Sequence, residues 1–158
     1  MQTRGIPVDL ARVYLQEVSY RVGGNGYRAL GFGNDAGGLE VRNLNFKGTL
    51  GKKDITTIAR EGSVSTAVFE GFFDFLSVLK HYKRDRATGN VLVLNSIALM
   101  ERGIERMSAM NIERIHGYLD HDEAGRAGLA LLAERGAWKV SDASSLYAGF
   151  KDANELIA

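Results

Sequence analysis

The chain has 158 residues, 45% of them hydrophobic and 25% charged, with a net charge of +1. That is apolar material for one domain, or one domain with a small lobe attached, and it excludes disorder of the whole chain. No apolar run approaches the roughly 18 residues of a membrane span, no signal-like apolar core opens the chain, and the lack of cysteine excludes disulfides, thiol catalysis and cysteine-ligated zinc, so the expected location is cytoplasmic with no membrane partner.

The elements read as follows in chain order. Pro7 suits a first helical turn, and Val8, Ala11, Leu15 and Val18 recur at helical spacing, which predicts a helix over 7–20. Two strand-like runs follow, 27–32 and 39–46, and the turn-forming stretch from Gly33 to Gly38 between them predicts a hairpin. Lys47-Gly48, Lys52 and Lys53 make a short basic loop. From Val64 the rhythm changes to strand and helix in alternation. Strands are predicted at 64–69, 91–94, 112–119 and 137–141, with helices at 72–82, 97–110 and 124–135 between them. Such alternation predicts an α/β fold, a mostly parallel sheet with helices on both faces, preceded by a small N-terminal α+β lobe. The charge divides in the same way. Residues 1–60 carry nine Lys/Arg against five Asp/Glu, and residues 61–158 carry eleven against fourteen. A basic lobe over 1–60 beside an acidic domain over 61–158 suits a protein that holds a polyanion with one part and cations with the other.

Ligand sites of open α/β sheets lie beyond the carboxyl ends of the strands. Glu70 closes the first strand of the alternating region, Asp74 follows one helical turn later, and Asp120 and Asp122 close the third strand. Residues two apart in an extended segment face the same way, so both aspartates can enter one crevice while His121 points away. If the first and third strands are neighbours, Glu70 joins them. Such a group cannot stay ionised without raised pKa values or a bound cation, and oxygen-only ligands suit Mg2+ or Mn2+, which serve phosphoryl chemistry. An aspartate just before a helix also serves as an N-cap, and Asp122 before Glu123-Ala124-Gly125 fits that role too.

Glu70-Gly71-Phe72-Phe73-Asp74 resembles the first motif of the Toprim family, and Asp120-His121-Asp122-Glu123-Ala124-Gly125-Arg126 resembles the second. Lys151-Asp152-Ala153-Asn154-Glu155 looks like the acidic element after the fourth strand of bacterial primases, and Asn95-Ser96 stands where Gly-Thr is common. The segments around Gly31-Phe32-Gly33, Gly38 to Asn43 and Lys52 to Thr56 are similar to the region before Toprim in bacterial-type DNA primases. The resemblance implies a Toprim fold and metal-dependent nucleotidyl transfer on a DNA template. It implies that Glu70, Asp120 and Asp122 are catalytic and hold Mg2+ or Mn2+ with Asp74 and Asp152 in support. It also implies that Arg42, Lys47, Lys52 and Lys53 contact template or nucleotide phosphates. DNA and nucleoside triphosphates are the implied partners. No cysteine-rich zinc module and no helicase-binding domain is seen in this sequence, so it reads as a fragment of a larger primase-like protein or a stand-alone relative with reduced chemistry, with a helicase or zinc-binding module expected to be supplied elsewhere. A Toprim nuclease using the same acids, and a non-catalytic DNA-binding or recombination module, are the alternatives. No tyrosine has the setting of a topoisomerase nucleophile, and the serines form no triad with a histidine.

Overall fold

The structure, a computed structural model, describes residues 4–158. Two sheets make up the chain. The first is antiparallel, in the order β1 (Gln16–Val22), β2 (Asn25–Gly33), β3 (Leu39–Arg42), β4 (Lys47–Leu50). The second has the order β5 (Thr56–Ile58), β7 (Asn90–Val93), β6 (Ser65–Phe69), β8 (Arg114–Tyr118), β9 (Lys139–Asp142), parallel throughout except for β5 at one edge. Helices α1 (Val8–Tyr14), α2 (Phe72–His81), α3 (Met100–Ser108) and α4 (Glu123–Arg135) complete it. The predicted α/β architecture is therefore observed.

Fully apolar strands follow from cover on both faces. Adjacent residues point to opposite sides of the sheet, so Phe69, Val91 and Val93 enter one core with Phe75, Leu76 and Tyr147, while Val68, Leu92 and Leu94 enter the other with Met107, Ile115 and Leu132. The first core also takes Ile6, Leu10 and Phe32, which fastens the N-terminal lobe to the face of α2. Phe32 and Phe72 face each other with ring centroids 5.3 Å apart.

The helix expected over 7–20 ends at Tyr14 and gives way to β1. Val18, Tyr20 and Val22 alternate as strand residues do, and each is paired across to β2, with Tyr20 opposite Tyr27. Gly23 and Gly24 close that hairpin with φ of 57° and 85°, the two positive values a type I′ turn requires. The second predicted run stops at Arg42, and Lys47 and Gly48 of the basic loop belong to β4. Strand β5 carries no signal of its own. Asn95, where the motif pattern has glycine, takes a left-handed φ of 62° and holds β5 in place by donating from Nδ2 to the Asp54 carbonyl at 2.9 Å and to Thr56 Oγ1 at 3.0 Å. Asparagine tolerates that conformation better than most residues.

No helix among the described residues is long and apolar enough to cross a membrane. Ile115, fully buried on β8, tests the packing of the second core. Ile115→Ala should cost roughly 2–5 kcal/mol, read as a lower urea midpoint at an unchanged slope.

Candidate active site

Parallel pairing of β6 with β8 sets Phe69 opposite Tyr118, so both strands end at the same edge. Glu70 leaves β6 there, and Asp120 leaves β8 two residues after Tyr118. Asp74 lies in the first turn of α2, which starts directly after Glu70-Gly71. Asp152 arrives from the loop beyond β9. One carboxylate oxygen from each of Asp74, Asp120 and Asp152 lies within 4.8 Å of the others. Glu70 joins them in a cleft of about 180 Å³.

Asp122 takes a different place. Its Oδ1 accepts the Gly125 N–H at 2.9 Å and caps α4. Gly125 is required there because a Cβ would collide with the Asp120 carbonyl. Asp122 lies outside the three-aspartate cluster, yet its charge acts on Glu70.

The loops carrying Asp120 and Asp152 are tied together. The His121 N–H donates to the Lys151 carbonyl at 2.8 Å, and His121 Nδ1 meets the Phe150 carbonyl at 2.7 Å. A carbonyl only accepts, so Nδ1 carries the proton and the exposed Nε2 keeps its lone pair when the ring is neutral. The His121 ring lies 4.9 Å from that of Tyr147, whose hydroxyl donates to the Leu119 carbonyl at 2.7 Å. His121 thus points away from the cleft, as its position between the aspartates predicts, and clamps the two loops.

The cleft also carries basic residues. Arg4, Arg42, Lys47 and Lys151 line the same cleft. The Arg4 and Arg42 guanidinium groups stand over the Phe73 ring at 5.0 and 5.9 Å. Asn154 fixes Arg4, accepting from its Nη1 at 2.9 Å and donating to its carbonyl at 3.0 Å. Yet none of Glu70, Asp74, Asp120, Asp122 and Asp152 forms an ion pair within 4.0 Å among the described residues. Lys52 and Lys53 lie outside the cleft, and Lys53 faces Glu40 at 3.8 Å. Arg4 carries no sequence signal, because its role depends on contact with Asn154, 150 residues away. Lys151 and Asn154 sit inside the third motif and were legible there only as its neighbours.

These surroundings govern ionisation. Burial, then the charges of Asp152 and Asp120, push the Asp74 carboxyl up to about 8, against the pull of the Asn154 N–H. Burial and the neighbouring aspartates also raise Glu70 and Asp120. Burial and Arg4 lower Arg42, and burial with Arg42 and Lys53 lowers Lys47. Glu70 Oε2 is buried with no hydrogen-bond partner among the described residues.

A carboxyl raised in the fold binds its proton more tightly folded than unfolded, so the folded state is favoured at low pH. That contribution is whole below the ordinary value of 3.8 and is lost as pH rises to about 8. Thermal melts in EDTA should therefore give a higher midpoint at pH 5 than at pH 8. Asp74→Asn should flatten the upper part of this dependence and raise the pH 8 midpoint by a few degrees, since ~1 kcal/mol moves a domain of this size by roughly 2–4 °C. Melting curves independent of pH would contradict the described cluster.

The family model described as Toprim-like matches residues 67–157, and a domain of unknown function matches residues 1–51. No curated protein matches the sequence significantly. Among solved structures, the primase fragment of the bacteriophage T7 primase-helicase is similar at 23% identity and a TM-score of 0.72 over 98% of this chain. The chain spans 66% of that fragment. A chain in the structure of the bacteriophage T7 lagging-strand DNA polymerase interacting with primase domains, bound to an RNA/DNA hybrid and dTTP, gives 21% identity and a TM-score of 0.69, covering 98% of this chain and 82% of that one. At such identities the likeness is one of fold. With the acidic motifs at the edge where β6 and β8 end, and with the family model spanning more than half of its length, the chain belongs to the Toprim-like family.

Proposed function

We propose that the chain carries out primase-like, metal-dependent nucleotidyl transfer on a DNA template. One observation carries this reading: a cluster of carboxylates, none of them in an ion pair within 4.0 Å among the described residues, shares a single cleft with four cationic side chains.

The residues fit a hard divalent cation. Three carboxylate oxygens converge within 4.8 Å, a fourth acid presents a buried oxygen with no partner among the described residues, and all donors are oxygen. Mg2+ and Mn2+ favour such ligands. Glu70, Asp74, Asp120 and Asp152 would hold the ion, and the charge of Asp122 acts on Glu70 from outside the cluster. The ion would supply neutralisation and alignment of nucleotide phosphates.

The chain's own cations do the rest. Arg42 and Lys47 bind phosphate oxygens opposite the acids, with Arg4 beside them and Lys151 at the rim. Phe73 holds the two guanidinium groups near its ring, which helps to place them before substrate enters. Lys52 and Lys53 extend positive charge beyond the cleft toward the template backbone, a contact that positions the strand without reading its sequence. On this reading residues 1–60 form the basic lobe and residues 61–158 the Toprim domain, with β5 crossing into the second sheet. The partners are DNA and nucleoside triphosphates. The T7 complex that shares this fold holds an RNA/DNA hybrid and dTTP, in keeping with such partners.

Asp120→Ala tests the reading. The variant should keep its circular dichroism spectrum and bind Mn2+ more than about tenfold more weakly in calorimetry, since even outer-shell losses cost about 10–100-fold. It should also lose template-dependent incorporation of labelled nucleotide. Equal Mn2+ affinity before and after would refute the site, and metal-dependent cutting of DNA without nucleotides would replace transferase by nuclease.

A further inference from the structure

We propose that the projecting end of the N-terminal sheet is a stacking platform for single-stranded nucleic acid, at the far end of a groove that starts in the active-site cleft; this rests on the nucleic-acid reading above. Strands β1 and β2 pair from Gln16↔Gly31 to Val22↔Asn25, whereas β3 pairs only with Leu30–Gly33 of β2. The remainder is a two-stranded ribbon beyond the four-stranded part, flanked by the turn from Asn43 to Phe46.

This end of the sheet is apolar where a lone ribbon would be expected to be polar. Leu44 is 86% exposed, Val22 59%, Phe46 44% and Tyr27 42%, four of the seven large hydrophobic residues exposed among those described. The rings are ordered against each other. Tyr20 and Tyr27 stack at 5.6 Å with their planes 23° apart, and Phe46 lies 6.1 Å from Tyr20. Together they line a groove of about 510 Å³ whose only charged side chain is Arg28.

The groove is continuous with the site. It shares Arg28, Asn43 and Leu44 with a neighbouring groove of about 360 Å³, which in turn shares Arg4, Arg42 and Phe73 with the acidic cleft. The path from the carboxylates outward thus runs over guanidinium groups and then over aromatic faces. Arg28 meets Glu17 at 3.8 Å with both side chains more than four-fifths exposed, a pairing too weak to withhold it from a phosphate. A polymer with a phosphate at each step and a π-face at each step matches this sequence of surfaces. Bases must be unstacked to lie on the rings, which selects a single strand over a duplex.

Fluorescence anisotropy of a labelled oligothymidylate in EDTA tests the platform apart from the metal. Tyr27→Ala and Phe46→Ala should each weaken binding about tenfold, while Tyr27→Phe should bind as the unchanged protein does. Phe46→Leu keeps apolar bulk without a π-face and should lose affinity like the alanine variant. Arg28→Ala should reduce the slope of log affinity against log salt by about 0.7, one phosphate contact on a single strand. The platform variants should bind Mn2+ normally, so the platform and the metal chemistry fail separately. Tyr27→Ala and Phe46→Ala proteins with unchanged melting curves and unchanged oligonucleotide affinity would overturn the proposal. So would sedimentation showing that the patch is buried between two copies of the chain.

Discussion

Repulsion among carboxylates at one sheet edge is the constraint around which this molecule is arranged. Parallel pairing of β6 and β8 in register brings Glu70 and Asp120 to the same end of the sheet, and α2 and the loop after β9 add Asp74 and Asp152. Side chains that only sought stability would have been offset by a lysine or arginine at salt-bridge distance, as Asp54 is by Arg102 at 3.2 Å. Here the cations stop short of pairing. The cost appears as an Asp74 carboxyl that holds its proton up to about 8. A fold that keeps such a cluster together must fix it with contacts that do not neutralise it. The clamp of His121 and Tyr147 between the two acidic loops, made through backbone carbonyls, is such a contact.

The second part of the arrangement is the rigid seating of the basic lobe. Arg42 ends β3 and Lys47 begins β4, so the two face the acids from the end of one hairpin. The tilted contact of Phe32, on the neighbouring strand β2, with Phe72 seats the N-terminal sheet against the first turn of α2. Phe73, the next residue, carries both arginines on its ring. Within Glu70 to Asp74, a single motif thus supplies two acids, a helix contact with the N-terminal sheet and the support for the basic side chains of the cleft. This explains physically why the two apolar positions of the motif are both aromatic in this chain.

The alternation of strands and helices after Val64 was legible because the central strands β6 and β7 are largely buried and show as short apolar runs, and the helices between them show a face at regular spacing. The acids were legible because they fall directly at the ends of predicted strands. What escaped depends on partners distant in the chain. Val18 continues the helical spacing of Val8, Ala11 and Leu15 by chance, and only its pairing opposite Ala29 reveals a strand. The Gly23-Gly24 turn was the local cue to that pairing. Strand β5, three residues long, is held by Asn95 and Arg106 from elsewhere, and no three-residue window could show that. Arg4 joins the cleft through Asn154, a contact invisible in local sequence.

Asp122 shows why structural and functional readings of one residue need not compete. Its backbone is extended, with φ −122° and ψ −178°, which is the conformation that lets residues two apart face one way and also the one a helix cap adopts. Capping consumes one oxygen, Oδ1, on the Gly125 N–H. The other oxygen remains, and the charge of the group still raises the Glu70 carboxyl. Gly125 completes the economy of the motif, since only a residue without a Cβ lets the first turn of α4 press against the Asp120 carbonyl. The cap therefore does more than start a helix. It sets the direction of Asp122 and, through the close fit of Gly125, fixes the backbone from which the Asp120 side chain enters the cleft.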